Sequence, residues 1–158
     1  MTTRVLRSPR MKRNVTILLQ AVVVLIGILV MALMLWEPHI EGRNAHATPF
    51  QIYFNDPFLV YAYIASIPFF AILVQVFKIL GYAGQHKVFS PAGAKAVRIV
   101  KYCAVAMIGF VVLGEAFIML NTSDDRAGGV FIGALIFVGW IGIAAIAARF
   151  EKKLHKRL

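Results

Sequence analysis

Residues 15–36 read VTILLQAVVVLIGILVMALMLW, 22 positions without a charged side chain. As an α-helix rising about 1.5 Å per residue, this run is roughly 33 Å long, enough to cross a hydrocarbon core of about 30 Å. Arg4, Arg7, Arg10, Lys12 and Arg13 precede it, and Ala45-His46-Ala47 has the look of a cleavage triplet, so a signal peptide is the competing reading. A signal core has only about 7–15 apolar residues with the cleavage site close behind. The run is too long and the triplet too distant, which makes it an uncleaved membrane anchor.

Three further segments, 58–80, 97–120 and 128–148, have the same length and apolarity. They are continuously apolar and lack the two-residue alternation of a membrane barrel, so helices are the spanning form in which every backbone group is bonded internally. Of the 158 residues 60% are hydrophobic, and the mean hydropathy is +0.77, well above a soluble domain. The spans fill more than half of the chain and leave no room for a soluble domain. The expected architecture is an all-α polytopic integral membrane protein, a bundle of four transmembrane helices over 15–148, with basic tails at 1–14 and 149–158.

The net charge of +10 is sorted along the chain. Five Lys or Arg precede the first span, five flank or occupy the second connection (Lys78, Lys87, Lys95, Arg98, Lys101), and five follow the fourth span (Arg149, Lys152, Lys153, Lys156, Arg157). The first and third connections hold only Arg43 and Arg126, together with Glu37, Glu41, Asp56, Asp124 and Asp125. The positive-inside rule then predicts a multi-pass protein of the cell membrane with both termini and the second connection in the cytoplasm. Sorting by side argues against nucleic acid as the partner of the basic residues. It favours the bilayer and its anionic lipid, at about 1 kcal/mol per basic residue near the surface.

The first connection contains Pro38, Gly42, Pro49 and Asp56-Pro57, where Asp56 can cap the second span with Pro57 in its first turn. Ser90-Pro91 repeats that pattern and starts the third helix near Pro91, below the membrane. In the fourth span Gly129 and Gly133 have GxxxG spacing, followed by Gly139, Gly142, Ala144 and Ala148, a set that allows close helix contact. Packing inside the monomer accounts for it, while a homo-oligomer would use the same surface. Cys103, the single cysteine, excludes an internal disulfide and is expected to pack as a small apolar residue.

Glu115 is the sharpest candidate for function, because an ionisable side chain inside a span is costly. It lies roughly 9 Å outward of the third helix's midpoint. Tyr63 falls at a similar depth and could donate a hydrogen bond to it. Lys101 and Glu115 share one helix face but are about 21 Å apart by helical rise, so Lys101 is expected to reach for the headgroups instead. Gln20 and Gln75 fall at comparable depth in the cytoplasmic half and could bond across helices one and two. Pro68 should kink the second helix and free a carbonyl for Ser66 or a neighbouring helix.

Glu37, His39, Glu41 and His46 have no recognised metal-ligand spacing, and His86 and His155 are isolated, so no metal or cofactor is expected. Nor is there an HExxH, a GxSxG, a phosphate-cradling glycine loop or a facing pair of intramembrane carboxylates, so no enzyme is expected.

Read together, Tyr61-Ala62-Tyr63-Ile64-Ala65-Ser66-Ile67-Pro68-Phe69-Phe70, Gln75-Val76-Phe77-Lys78-Ile79-Leu80, Val88-Phe89-Ser90 and Lys95-Ala96-Val97-Arg98-Ile99-Val100-Lys101-Tyr102-Cys103-Ala104 resemble the bacterial membrane family catalogued as domain of unknown function 2975. The resemblance implies a small four-helix protein without an assigned activity, suggests a regulatory or accessory role, and supplies no catalytic residues. The middle of every span is nearly all apolar, which favours a non-enzymatic regulatory, sensing or accessory protein binding a protein partner through its basic face. The alternative is a small transporter or channel component with an outward-facing site at Glu115.

Overall fold

A computed structural model of the chain describes residues 12–40, 46–54, 57–121 and 126–157. It contains four long helices, α1 (Arg13–Ile40), α3 (Pro57–Gly84), α4 (Pro91–Asn121) and α5 (Arg126–His155), and one short helix, α2 (Pro49–Phe54). The four long helices are all long and apolar enough to cross a membrane, as the sequence predicts, and no strand occurs among the described residues. The protein is an all-α, four-helix membrane protein.

Each long helix extends past its apolar segment. At 28, 28, 31 and 30 residues they measure about 42–46 Å, which matches a bilayer with its headgroup layers rather than the hydrocarbon alone. The largest departure is at the carboxyl end, where residues 149–155, expected as tail, continue α5. Arg149, Glu151, Lys152, Lys153 and Leu154 are good helix formers, and Leu154 is fully buried, so packing holds what propensity permits.

The helix ends follow local rules. Ser90 caps α4, its Oγ accepting from the Gly93 amide at 3.2 Å while the Ala94 amide donates to the Ser90 carbonyl at 3.0 Å. Pro91 is the first helical residue, as predicted. At the end of α3 the Lys87 amide donates to the Tyr82 carbonyl at 2.8 Å, the six-to-one bond of a Schellman cap, with His86 in the left-handed position at φ 58°. Helix α2 was not anticipated. Thr48 and Gln51 form a capping box at its start, the Gln51 amide donating to Thr48 Oγ1 at 3.3 Å and the Thr48 amide to Gln51 Oε1 at 3.0 Å. Phe50 and Phe54 then stack one turn apart, ring centroids 5.0 Å apart. Helix α3 starts at Pro57 as expected, while Asp56 lies outside the described residues.

Packing runs in chain order: α1 lies against α3, α3 against α4, and α4 against α5, the last contact being the most extensive. Buried apolar residues gather at one end, where Ala94, Val97, Val100 and Ala104 of α4 meet Ile72 of α3 and Ala147 and Leu154 of α5. Cys103 packs against this core. The exposed Lys87, Lys95, Lys152 and Arg157 lie close in the chain to the residues of this core, and Arg157 stacks on Phe89 at its edge, which makes this the basic end. Most of α1 is exposed, from Val15 to Trp36, which suits a helix whose outer faces are solvated by lipid.

Candidate functional site

Glu115 of α4 turns toward α5. Its Oε1 occupies the space that a β-carbon on Gly133 would fill. One turn further along, the β-carbon position of Gly129 is 3.6 Å from Ile118. The GxxxG pair therefore serves contact within the monomer, as expected. Gly139 and Gly142 do not join it, because nothing lies within 4 Å of where their side chains would begin. In a helix of 3.6 residues per turn the α4-facing stripe continues through Trp140, Ala144, Ala147, Glu151 and Leu154, which leaves Gly139 and Gly142 on other faces.

The carboxyl of Glu115 does not receive the hydrogen bond expected from Tyr63. Its Oε2 is buried and makes no hydrogen bond among the described residues. Tyr63 instead faces α1, donating from its hydroxyl to the Met34 carbonyl at 2.9 Å. The tyrosine that reaches α4 is Tyr61, whose ring lies on Gly114 and whose hydroxyl donates to the Phe110 carbonyl. Two residues apart on a helix point roughly 200° apart, so only one of the two tyrosines can face α4. Equal depth identifies both as candidates and selects neither.

The glutamine pair also divides. Gln20 donates through Nε2 to the Phe77 carbonyl of α3 at 3.1 Å and lies 3.2 Å from where a β-carbon on Gly81 would sit. One turn earlier, Thr16 is buried with its Oγ1 3.0 Å from the corresponding position on Gly84. Gln75 is half-buried and takes no part in that bond. Gln20 thus acts as an interhelical tie to backbone, which needs no partner side chain of matched depth. Helix α3 runs unbroken through Pro68. Ser66 Oγ donates to the Tyr63 carbonyl at 2.6 Å, beside the Ile64 carbonyl that proline cannot serve.

At the basic end the structure builds a cluster that sequence reading missed. Glu151 of α5 is buried, accepting from Lys101 Nζ at 2.5 Å and from Arg98 Nε at 2.9 Å, both of α4. Arg98 Nη2 also donates to His155 Nε2 at 2.9 Å, so His155, although exposed to solvent, joins the cluster. Lys101 is drawn to this carboxylate instead of to headgroups. A signal was available: of the seven acidic residues, five lie in the first and third connections and Glu115 in a span, which leaves Glu151 alone among the basic residues of the opposite side. A single carboxylate in a basic run marks where two helix ends are tied.

Among the described residues no three His, Cys, Asp or Glu side chains come together as metal ligands. Glu41 lies outside the described residues, and the side chains of Glu37 and His39 are likewise undescribed.

A family model described as Protein of unknown function (DUF2975) matches residues 41–156, from the first connection to the end of α5. The uncharacterized membrane protein YoaS of Bacillus subtilis (strain 168) is 34% identical over 150 residues, covering 94% of each chain. No solved structure matches.

Proposed function

The chain belongs to the DUF2975 family, and from that premise we propose a non-enzymatic regulatory, sensing or accessory protein of the bacterial inner membrane that binds a protein partner on its basic face. In this reading both termini and the α3–α4 turn face the cytoplasm, following the charge asymmetry of the connections.

One observation carries the reading. The basic ends of α4 and α5 are joined through Glu151, which engages Arg98 and Lys101, while Lys87, Lys95, Lys152, Lys153 and Lys156 stay exposed around that junction. The result is a preorganised cationic platform whose own carboxylate is already used, a surface suited to an acidic partner. The spans, by contrast, place only scattered polar groups in the membrane interior: Gln20, Tyr61, Tyr63 and Ser66 bond to backbone, and Thr16 and Glu115 lie against glycine.

Crosslinking in native membranes followed by mass spectrometry tests this, comparing the wild type with Glu115→Gln and with a variant in which the exposed lysines are neutralised. Capture of one specific protein, lost on neutralisation and kept in Glu115→Gln, is the expected result. The second reading, a small transporter or channel component, draws on the buried, unbonded Oε2 of Glu115. Solute or ion flux in liposomes that depends on Glu115, with no specific protein captured, would replace the first reading with the second.

A further inference from the structure

Where α1 lies on α3, their lipid-facing sides enclose a groove of about 540 Å³. Gly27 of α1 forms its floor, with its β-carbon position 3.4 Å from Leu73. Val24, Phe70, Val74 and Phe77 wall it, and Lys78 closes its basic end. From Phe70 to Lys78 the groove runs about 12 Å along α3, most of the depth of one hydrocarbon leaflet.

We propose that this groove binds one acyl chain of an anionic phospholipid, with the lipid phosphate held at Lys78. Every lining residue except Lys78 is apolar or glycine, so the occupant must be apolar along its length and negative at one end. Lys78 is exposed, as are Lys12 and Arg13, which lie one turn beyond the Thr16 contact with Gly84 and add positive charge at headgroup level.

A second copy of the chain is a poorer occupant. In the same membrane it would bring its own basic end to the same depth, and Glu151, the acidic residue at that end, already engages Arg98 and Lys101. The inference stands apart from the partner-binding reading, since it concerns the opposite flank of α3.

The full chain in detergent, supplied with equal phosphatidylglycerol and phosphatidylcholine and examined by native mass spectrometry, provides the test. The wild type should retain a single phosphatidylglycerol with a preference of about fivefold over phosphatidylcholine. Lys78→Gln should bring the preference near parity. Val74→Trp, which fills the groove from an exposed position, should release the retained lipid, and Val24→Phe does the same from the opposite wall if the first variant is misfolded by circular dichroism. Arg149→Gln, an exposed cation on α5, should change nothing. The proposal is overturned if the wild type shows no preference, if the preference survives both Lys78→Gln and filling of the groove, or if filling the groove abolishes a dimer rather than a bound lipid.

Discussion

Replacing Glu151 by glutamine tests the tie between α4 and α5 most directly. The Glu151 side chain is 10% exposed, that of Lys101 25% and that of Arg98 49%. A charged hydrogen bond in a mostly buried setting contributes about 1.5 kcal/mol, and one to a half-exposed partner about 0.5–1 kcal/mol. The substitution keeps the shape of the side chain but leaves two cations facing a neutral amide, so the loss should be about 2–3 kcal/mol. Reversible unfolding by sodium dodecyl sulfate in mixed micelles measures it, and a double-mutant cycle apportions it. Glu151→Gln with Lys101→Gln should give a larger coupling than Glu151→Gln with Arg98→Gln, because Lys101 is the less exposed cation. Unchanged stability of Glu151→Gln, or zero coupling to both cations, would refute the assignment of Glu151 as the fastening between the two helices.

Three further outcomes are expected in the same unfolding assay. Gly133→Ala should cost about 1–3 kcal/mol, since its methyl claims the space of the Glu115 carboxyl. Adding Glu115→Ala should recover most of that loss, whereas adding Glu115→Gln should not. Gly93→Ala should destabilise by a similar amount, because its β-carbon position collides with the Val88 carbonyl, while Gly109→Ala, with nothing within 4 Å, should be neutral or gain about 0.5–1 kcal/mol. His86→Gly should stabilise by about 1 kcal/mol, as glycine accepts the left-handed φ of 58° that histidine holds at a cost.

The architecture was legible because its signals are long or local. A span of more than 20 apolar residues has one stable solution in a bilayer, and Ser90-Pro91 fixes the start of α4 through a single hydroxyl. Pairing by depth failed for a geometric reason. Tyr63 and Glu115 lie at similar heights, but the rotation of each helix about its axis and the order of helices decide who meets whom. Because α3 sits between α1 and α4, a residue facing one is turned from the other. Gln20 could not be matched to Gln75 because its partner is a backbone carbonyl, which every residue offers and no sequence pattern marks. Glu151 was overlooked among its basic neighbours, although its isolation as a carboxylate was the available clue. Helix α2 hid between prolines, with Thr48 and Gln51 as its only local signature.

The row of helices has a consequence for how the chain assembles. Each long helix after α1 packs against the long helix made just before it, while the core at the basic end, shared by α3, α4 and α5, waits for the last one. Chains emerge at about 5–20 residues per second and build amino-terminal parts first, and contacts between sequence neighbours close fastest. Helix α3 can settle on α1, α4 on α3, and α5 on α4 as each enters the bilayer, and the last arrival, α5, brings the Glu151 tie and the broadest contact. Synthesis order and packing order coincide, so a nascent chain is a partial version of the finished protein at every stage.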